Sequence, residues 1–219
     1  DVVIHTAAIS DIGTCQKDPQ SSYFANVQIP LYLADACKDR KLICFSSDQV
    51  YSACKEEGPY IEEVVKPGNI YAEHKLEMEE RVLELVPSAV MLRAEWMYDY
   101  VSPKPNYFLN VLHASQQVSF SSRQFRGITY LKEVVENMDY VMTLPGGAYN
   151  FGSETNQSMY EITEQFLQLL GKDVQLQDAL PRHNLWMNCE KARKYGVEFS
   201  DASDGLKRCL NVYKTTIKQ

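Results

Sequence analysis

The sequence has no glycine-rich turn. Its 10 glycines are scattered and nowhere space as G-x-x-G-x-x-G, so this stretch carries no dinucleotide-phosphate fingerprint. It has no Cys-x-x-Cys pair either. Cys15, Cys37, Cys44, Cys54, Cys189 and Cys209 lie far apart, which reads as reduced thiols in a cytoplasmic protein. No His, Cys, Asp or Glu cluster has metal-ligand spacing, so no metal is expected. No apolar run reaches the roughly 20 residues of a membrane span, and no signal-peptide pattern is present. The 22 Lys and Arg against 29 Asp and Glu give a net charge of −7 with no basic stripe, which argues against a nucleic-acid partner. An initiator Met is also lacking. The chain opens Asp1-Val2-Val3-Ile4, as a buried interior strand does, and the expectation is that further N-terminal strands belong before it.

What is present suits a packed domain. At 219 residues and 45% hydrophobic content, one domain, or one plus a small lobe, is expected, with no internal repeat. Apolar runs at 1–5, 42–45, 89–96 and 148–151 read as buried strands, and 118–120 as a short one. The stretch 11–19 reads as loop. Helical spacing runs over 21–38, with Pro30 predicting a kink or break. Further helices are expected at 73–85, 107–113, 130–142, 159–170 (stopped by Gly171), 189–195 and 202–213, with a turn at 181–184. The face expected to bury in 130–142 is Leu131, Val134, Val135, Met138 and Val141. Strands alternating with helices give an α/β fold with a parallel sheet, whose ligands bind at the carboxyl ends of the strands. Ala7-Ala8, Ser46-Ser47 and Trp96 fall at such ends.

The chemistry concentrates between Ser46 and Lys75. If 71–75 is helical, Tyr71 and Lys75 share a face, with Cβ atoms roughly 5–6 Å apart. The ammonium is then expected to lower the phenol toward working pH, so that Tyr71 can protonate a developing alkoxide while Ser47 orients the same oxygen. A hydride has to come from a cofactor, since no side chain supplies one. The Tyr-x-x-x-Lys spacing occurs at Tyr51/Lys55, Tyr71/Lys75 and Tyr100/Lys104, and alone it describes a solvated helix face. Only Tyr71/Lys75 has a strand-end serine pair upstream and a helical continuation. Elsewhere the plain readings stand: His5 as a satisfied core histidine, the acidic run from Glu73 to Glu84 as a solvated face, and His183-Asn184 as a turn.

These residues sit in longer stretches that resemble the dTDP-4-dehydrorhamnose reductase family of extended short-chain dehydrogenases/reductases. The stretches are Asp1–Ala8, Asn26, Ser46–Tyr51, Pro59–Glu63, Pro67–Leu76, Arg93–Tyr98, Asn106–Phe108, Arg123–Phe125 and Pro181–Asn184 with Asn188–Lys191, in order along nearly the whole chain. The resemblance implies a Rossmann-like doubly wound parallel sheet with a small C-terminal substrate lobe. Residues 1–150 would form the cofactor and catalytic region, with 97–130 contributing to the lobe, and 151–219 the last strand and the lobe helices. It implies Ser47, Tyr71 and Lys75 as catalytic, and Ala7, Ala8, Ile9, Phe45, Tyr71 and Lys75 along NADPH or NADH. Ser47, Asp48, Trp96 and Asn106 would meet a nucleotide-sugar substrate, and a homodimer is admitted. The sequence departs from the family at Ala72 (usually Gly), Glu95 (Ser or similar), Arg126 (a small residue), Ile128 (Pro) and the Asp99–Pro105 loop.

The leading expectation is reduction of a 4-keto nucleotide sugar. An alternative is a nucleotide-sugar dehydratase or epimerase of the same family. Dehydratases place Asp-Glu after the catalytic hydroxyl, and Gln49 stands where that Glu would act, so the amide favours the reductase. A third reading is a non-catalytic, cofactor-binding regulatory subunit resembling the methionine adenosyltransferase beta subunit, against which the intact Ser47, Tyr71 and Lys75 argue.

Overall fold

A computed structural model of the chain describes residues 1–180 and 184–216. In chain order the first half holds β1 (Val2–His5), α1 (Ile12–Lys17), α2 (Pro19–Tyr23), α3 (Ile29–Ala36), β2 (Lys41–Ser47), α4 (Ile70–Leu85), β3 (Val90–Ala94), β4 (Trp96–Tyr98) and α5 (Tyr107–His113). Then follow β5 (Gln117–Phe120), β6 (Ile128–Tyr130), α6 (Leu131–Glu136), α7 (Met138–Thr143), β7 (Gly147–Phe151), α8 (Met159–Leu170), β8 (Gln175–Asp178), α9 (Glu190–Arg193) and α10 (Ala202–Thr216).

The main sheet is parallel and ordered β1-β2-β3-β7. Alternate residues of its strands face different helices. Leu42, Cys44 and Met91 pack with Ala34 of α3 and Met78 and Val82 of α4, whereas Ile43, Val90, Leu92 and Phe151 pack with Val134, Val141 and Ala192 of α6, α7 and α9. Both faces of β2, β3 and β7 are therefore covered, which is why these strands read as apolar runs. This is the expected α/β architecture with helices on both sides. The strand expected to be buried over 1–5 is corrected: β1 is at the edge of the four-stranded order, and Val2 and Ile4 are exposed. Among the described residues the strand order runs one way, with no reversal. A second core joins α5, α8 and α10 around Tyr98, Phe108, Ile128, Tyr130, Phe166 and Leu206. It is edged by the two-stranded pairs β4-β6 and β5-β8.

Several local expectations are corrected. Residues 11–19 are not loop, because Asp11 accepts from the Thr14 N–H and caps α1, and Asp18 does the same for α2 with Pro19 in its first turn. The helix over 21–38 does not break at Pro30. A π turn, Phe24–Gln28, takes up the mismatch one turn earlier, and Pro30 falls in the first turn of α3, where its missing N–H costs nothing. The strand expected over 89–96 stops at Ala94, and β4 starts at Trp96 after Glu95 turns the chain. The helix over 130–142 is a strand end followed by two short helices. Asn137 separates them by donating to the carbonyls of Glu133 and Glu198 and accepting from the Glu198 N–H. Val134 and Val141 are buried as expected, but Val135 and Leu131 are exposed. The helix at 189–195 is shorter, and β8 was unexpected because its sequence, Gln-Leu-Gln-Asp, is mostly polar. In the acidic run Glu79 is buried on Arg93 and not solvated. Pro181, Arg182 and His183 of the expected turn lie outside the described residues. Among those described, no helix is long and apolar enough to cross a membrane, and the six cysteines are free thiols.

Candidate active site

Ser47 is the last residue of β2. Its hydroxyl accepts from the Gln49 N–H at 3.2 Å, capping the single 3-10 turn Asp48–Tyr51, and donates to Asp48 Oδ1 at 3.1 Å. Tyr71 lies in the first turn of α4, whose cap is Asn69, its side chain accepting from Ala72 N–H at 2.9 Å. The same Asn69 amide donates to Gln49 Oε1 at 3.3 Å and to Ser52 Oγ at 3.4 Å. One asparagine therefore starts the helix that carries Tyr71 and ties it to the turn that follows Ser47. Lys75, one helical turn on, is 1% exposed and donates to the Phe45 carbonyl at 2.7 Å. Ser47, Tyr71 and Phe45 line one cleft of about 580 Å³ at the carboxyl ends of β2 and β3.

Burial dominates the electrostatics here. Desolvation lowers Lys75 to about 8. The expectation that Lys75 lowers the phenol is corrected: burial pushes Tyr71 up to about 12, with the Ser47 hydroxyl pulling it down and the Asp48 charge pushing it further up. The ammonium stands 5.9 Å from the Tyr71 ring centroid, its proton directed to the Phe45 carbonyl. His5 is buried as expected but is not fully satisfied, since its Nε2 has no partner. Burial, and then the Lys75 charge, lower its pKa and keep the ring neutral.

The loop after β1 presents exposed Ala7 and Ala8 and half-buried Ile9. Asn26 holds it, accepting from the Ile9 N–H at 3.2 Å and donating to the Ile9 carbonyl at 2.9 Å. Asn26 also donates to Ser22 Oγ, which meets His74 Nδ1 of α4 at 2.9 Å, so the loop is strapped to the helix of Tyr71 and Lys75. Ser22 and His74 escaped the sequence reading, because helical spacing alone does not tell which polar residues meet between two helices.

Of the residues expected at the substrate, Asp48, Trp96 and Asn106 all line the cleft. Trp96 is 45% exposed and is no core residue. Asn106 uses its amide to cap α5, accepting from the Leu109 N–H and donating to the Asp99 carbonyl. Asp48 is buried against Arg126, Oδ2 to Nη2 at 2.5 Å. Burial raises the Asp48 pKa, and the guanidinium, the Ser47 hydroxyl and the Gln49 N–H oppose that. The guanidinium carbon of Arg126 lies 3.8 Å from the centroid of the Trp96 ring. Beside it Glu95 is buried, Oε1 accepting from Thr129 Oγ1 at 2.6 Å and Ser153 N–H at 2.9 Å, while Oε2 has no partner. Burial pushes Glu95 up to about 8. Gly127 and Gly152 leave the space its carboxyl fills; a Cβ at Gly152 would stand 2.6 Å from Glu95 Cδ.

Beneath the site runs a buried polar network that sequence reading missed. Arg93 of β3 donates to both carboxylate oxygens of Glu79 on α4, to Tyr51 Oη and to the Glu62 carbonyl. Tyr51 in turn donates to Asn150 Oδ1 of β7 at 2.6 Å. The tyrosine of the Tyr51/Lys55 copy of the spacing is thus structural.

The model of the family described as RmlD substrate binding domain matches residues 1–208. The chain is 36% identical over 101 residues to a dTDP-4-dehydrorhamnose reductase of Mycolicibacterium smegmatis, a match covering 45% of this chain and 31% of that protein. It is 26% identical over 172 residues to the dTDP-4-dehydrorhamnose reductase of Aggregatibacter actinomycetemcomitans, covering 74% of this chain and 58% of that one. The chain thus spans from under a third to somewhat over half of these relatives' length. Its fold is similar to a crystal structure of dTDP-4-dehydrorhamnose reductase from Bacillus anthracis in complex with NADP, with a TM-score of 0.83 at 20% identity, covering 95% of this chain and 79% of that one.

Proposed function

This chain belongs to the family described as the RmlD substrate binding domain, and from that premise we propose that it carries the proton-transfer and sugar-binding site of an NAD(P)H-dependent reductase of 4-keto nucleotide sugars. The observation that carries the reading is the convergence of Ser47 and Tyr71 on one cleft, with the Lys75 ammonium buried one helical turn behind the phenol.

Ketone reduction needs a hydride on carbon and a proton on oxygen, and a bound nicotinamide dinucleotide supplies the hydride. The residues present fit its nicotinamide end. Ala7 and Ala8 offer small, exposed side chains beside the sheet, with Ile9 half-buried next to them, and Tyr71, with Lys75 buried behind it, would donate to a ribose hydroxyl. Tyr71, at about 12, keeps its proton at neutral pH and gives it up only to a strong base, which a developing alkoxide is. Ser47 can turn its hydroxyl from Asp48 toward the same oxygen and fix its direction. The carbonyl oxygen gains the Tyr71 proton, leaving phenolate, and solvent protonates the phenolate. Gln49, which lines the cleft and is tied to Asn69, is an amide and cannot take a proton from the sugar, which sets sugar dehydration aside. The free thiols fit a reducing compartment, and we place the protein in the cytoplasm.

The test is Tyr71→Phe, assayed by NAD(P)H oxidation with a dTDP-4-keto-6-deoxy sugar. Turnover should fall by roughly a hundredfold or more while circular dichroism and thermal midpoint hold. Unchanged turnover in the folded variant sinks the reading. A wild-type protein with no turnover on any 4-keto nucleotide sugar, but with a stoichiometric partner enzyme in a pull-down, would make it a regulatory subunit.

A further inference from the structure

Glu95 and Arg126, two of the positions where the sequence departs from the family it resembles, are one structural unit. Arg126 is 2% exposed and stands among three side chains. Its Nη2 pairs with Asp48 Oδ2, its plane covers Trp96 and its charge faces Glu95. Glu95 is held from the other side by Thr129 and the Ser153 N–H, in space left by Gly127 and Gly152. One carboxylate, Asp48, pairs with the guanidinium, and the Glu95 carboxyl feels its charge without a hydrogen bond to it. Arg126 Nε and Glu95 Oε2 are both buried without a partner.

The consequence reaches both halves of the cleft. Asp48 is the acceptor for the Ser47 hydroxyl. Its other oxygen pairs with Arg126, so both carboxylate oxygens are already engaged and the carboxylate is held in one orientation. Trp96, which offers its exposed surface to the cleft, is backed by the same guanidinium. A stacked cation fixes the ring plane and excludes other rotamers of the indole. We propose that Arg126 is a positioning and specificity-determining residue of the cleft: it holds the Asp48 carboxylate that orients the Ser47 hydroxyl, and it fixes the Trp96 face on which the sugar ring lies. Sugar recognition at this point then depends on the indole face that Arg126 holds. The inference rests on the reductase reading for its kinetic part and on geometry alone for Trp96.

The experiment uses the whole protein with Trp186→Phe as background, which leaves Trp96 as the sole tryptophan and keeps an aromatic ring against Phe125. Arg126→Lys keeps the charge beside Asp48 and loses the planar stack. Arg126→Met keeps the bulk and loses the charge. Arg126→Lys should shift Trp96 emission and raise KM for the nucleotide sugar roughly tenfold with kcat nearly unchanged. Arg126→Met should lower kcat as well and move the acid limb of its pH profile, because Asp48 loses its counter-charge. A general packing role would move the thermal midpoint without splitting KM from kcat. Trp96 emission and KM both unchanged in folded Arg126→Lys would overturn the proposal, and that variant decides the matter even where Arg126→Met does not fold. A wild type that fails to turn over sinks the reductase reading alone, and the emission comparison still decides whether Arg126 fixes Trp96.

Discussion

Desolvation drives the buried ammonium of Lys75 and the buried carboxyl of Glu95 to the same region of pH from opposite sides, each to about 8. Loss of the Lys75 proton takes a charge and a donor from the place proposed for the cofactor's ribose, so kcat/KM for ketone reduction should fall above pH about 8. Glu95→Gln separates the two groups: the alkaline limb should survive it, and a limb that vanishes with the amide would reassign it to Glu95. The same variant reads stability. The folded-state pKa of Glu95 is raised above its ordinary 4.5, so the fold binds the proton more tightly than the unfolded chain. Its stabilising contribution is complete below pH 4.5 and is lost as pH rises through about 8. Glu95→Gln keeps an acceptor for Thr129 and Ser153 without this titration. It should be slightly less stable than wild type at pH about 5 and more stable by about 1–3 kcal/mol at pH about 9, in urea melts at both. Ser47, Tyr71 and Lys75 could be read from the sequence because a strand end and a helix start announce themselves locally. The Asp48–Arg126 pair could not, since its partners are 78 residues apart and meet only when β2 and the segment before β6 converge.

Helix α4 is the element on which the candidate chemistry rides, and its start depends on Asn69. Removing that side chain exposes the Ala72 N–H and cuts the tie to Gln49 and Ser52. Asn69→Ala should cost about 1 kcal/mol in a denaturant melt and lower kcat more than it raises KM, because it loosens Tyr71 relative to Ser47. Asn69→Asp, which restores the cap but not the amide donors, should recover stability and not kcat. Equal recovery of both would show that the tie to Gln49 carries no positioning. The elements that could be read in advance share one property: their signals are local. Met159–Leu170 has a Ser158 capping box and a left-handed Gly171, and its predicted bounds match. The elements that escaped depend on distant partners. β8 is a strand because β5 lies beside it, and the break at Asn137 exists because the Glu198 backbone arrives to be bonded.

Across the whole molecule, the polar network under the cleft joins parts of the chain that no single element connects. Arg93 links β3 to α4 through Glu79 and to the 3-10 turn through Tyr51. Asn150 of β7 links that turn to the carbonyls of Tyr60 and Asn188, and its N–H reaches Glu62 Oε1. The sheet, the Tyr71 helix, the loop before it and the segment leading into α9 are thereby held in one arrangement. Both Arg93 and Glu79 are at most 5% exposed in their side chains, so breaking the pair from one side leaves a buried charge. Glu79→Leu alone should therefore cost about 3–5 kcal/mol. Arg93→Met alone should cost a similar amount, because it also strips a donor from Tyr51 Oη and from the Glu62 carbonyl. In the double variant no unpaired charge remains, and its loss in urea denaturation should be clearly smaller than the sum of the single losses. The coupling should be at least about 1 kcal/mol. Strict additivity would mean that the two residues stabilise the fold independently and that the network does not bind the sheet to the helix of Tyr71.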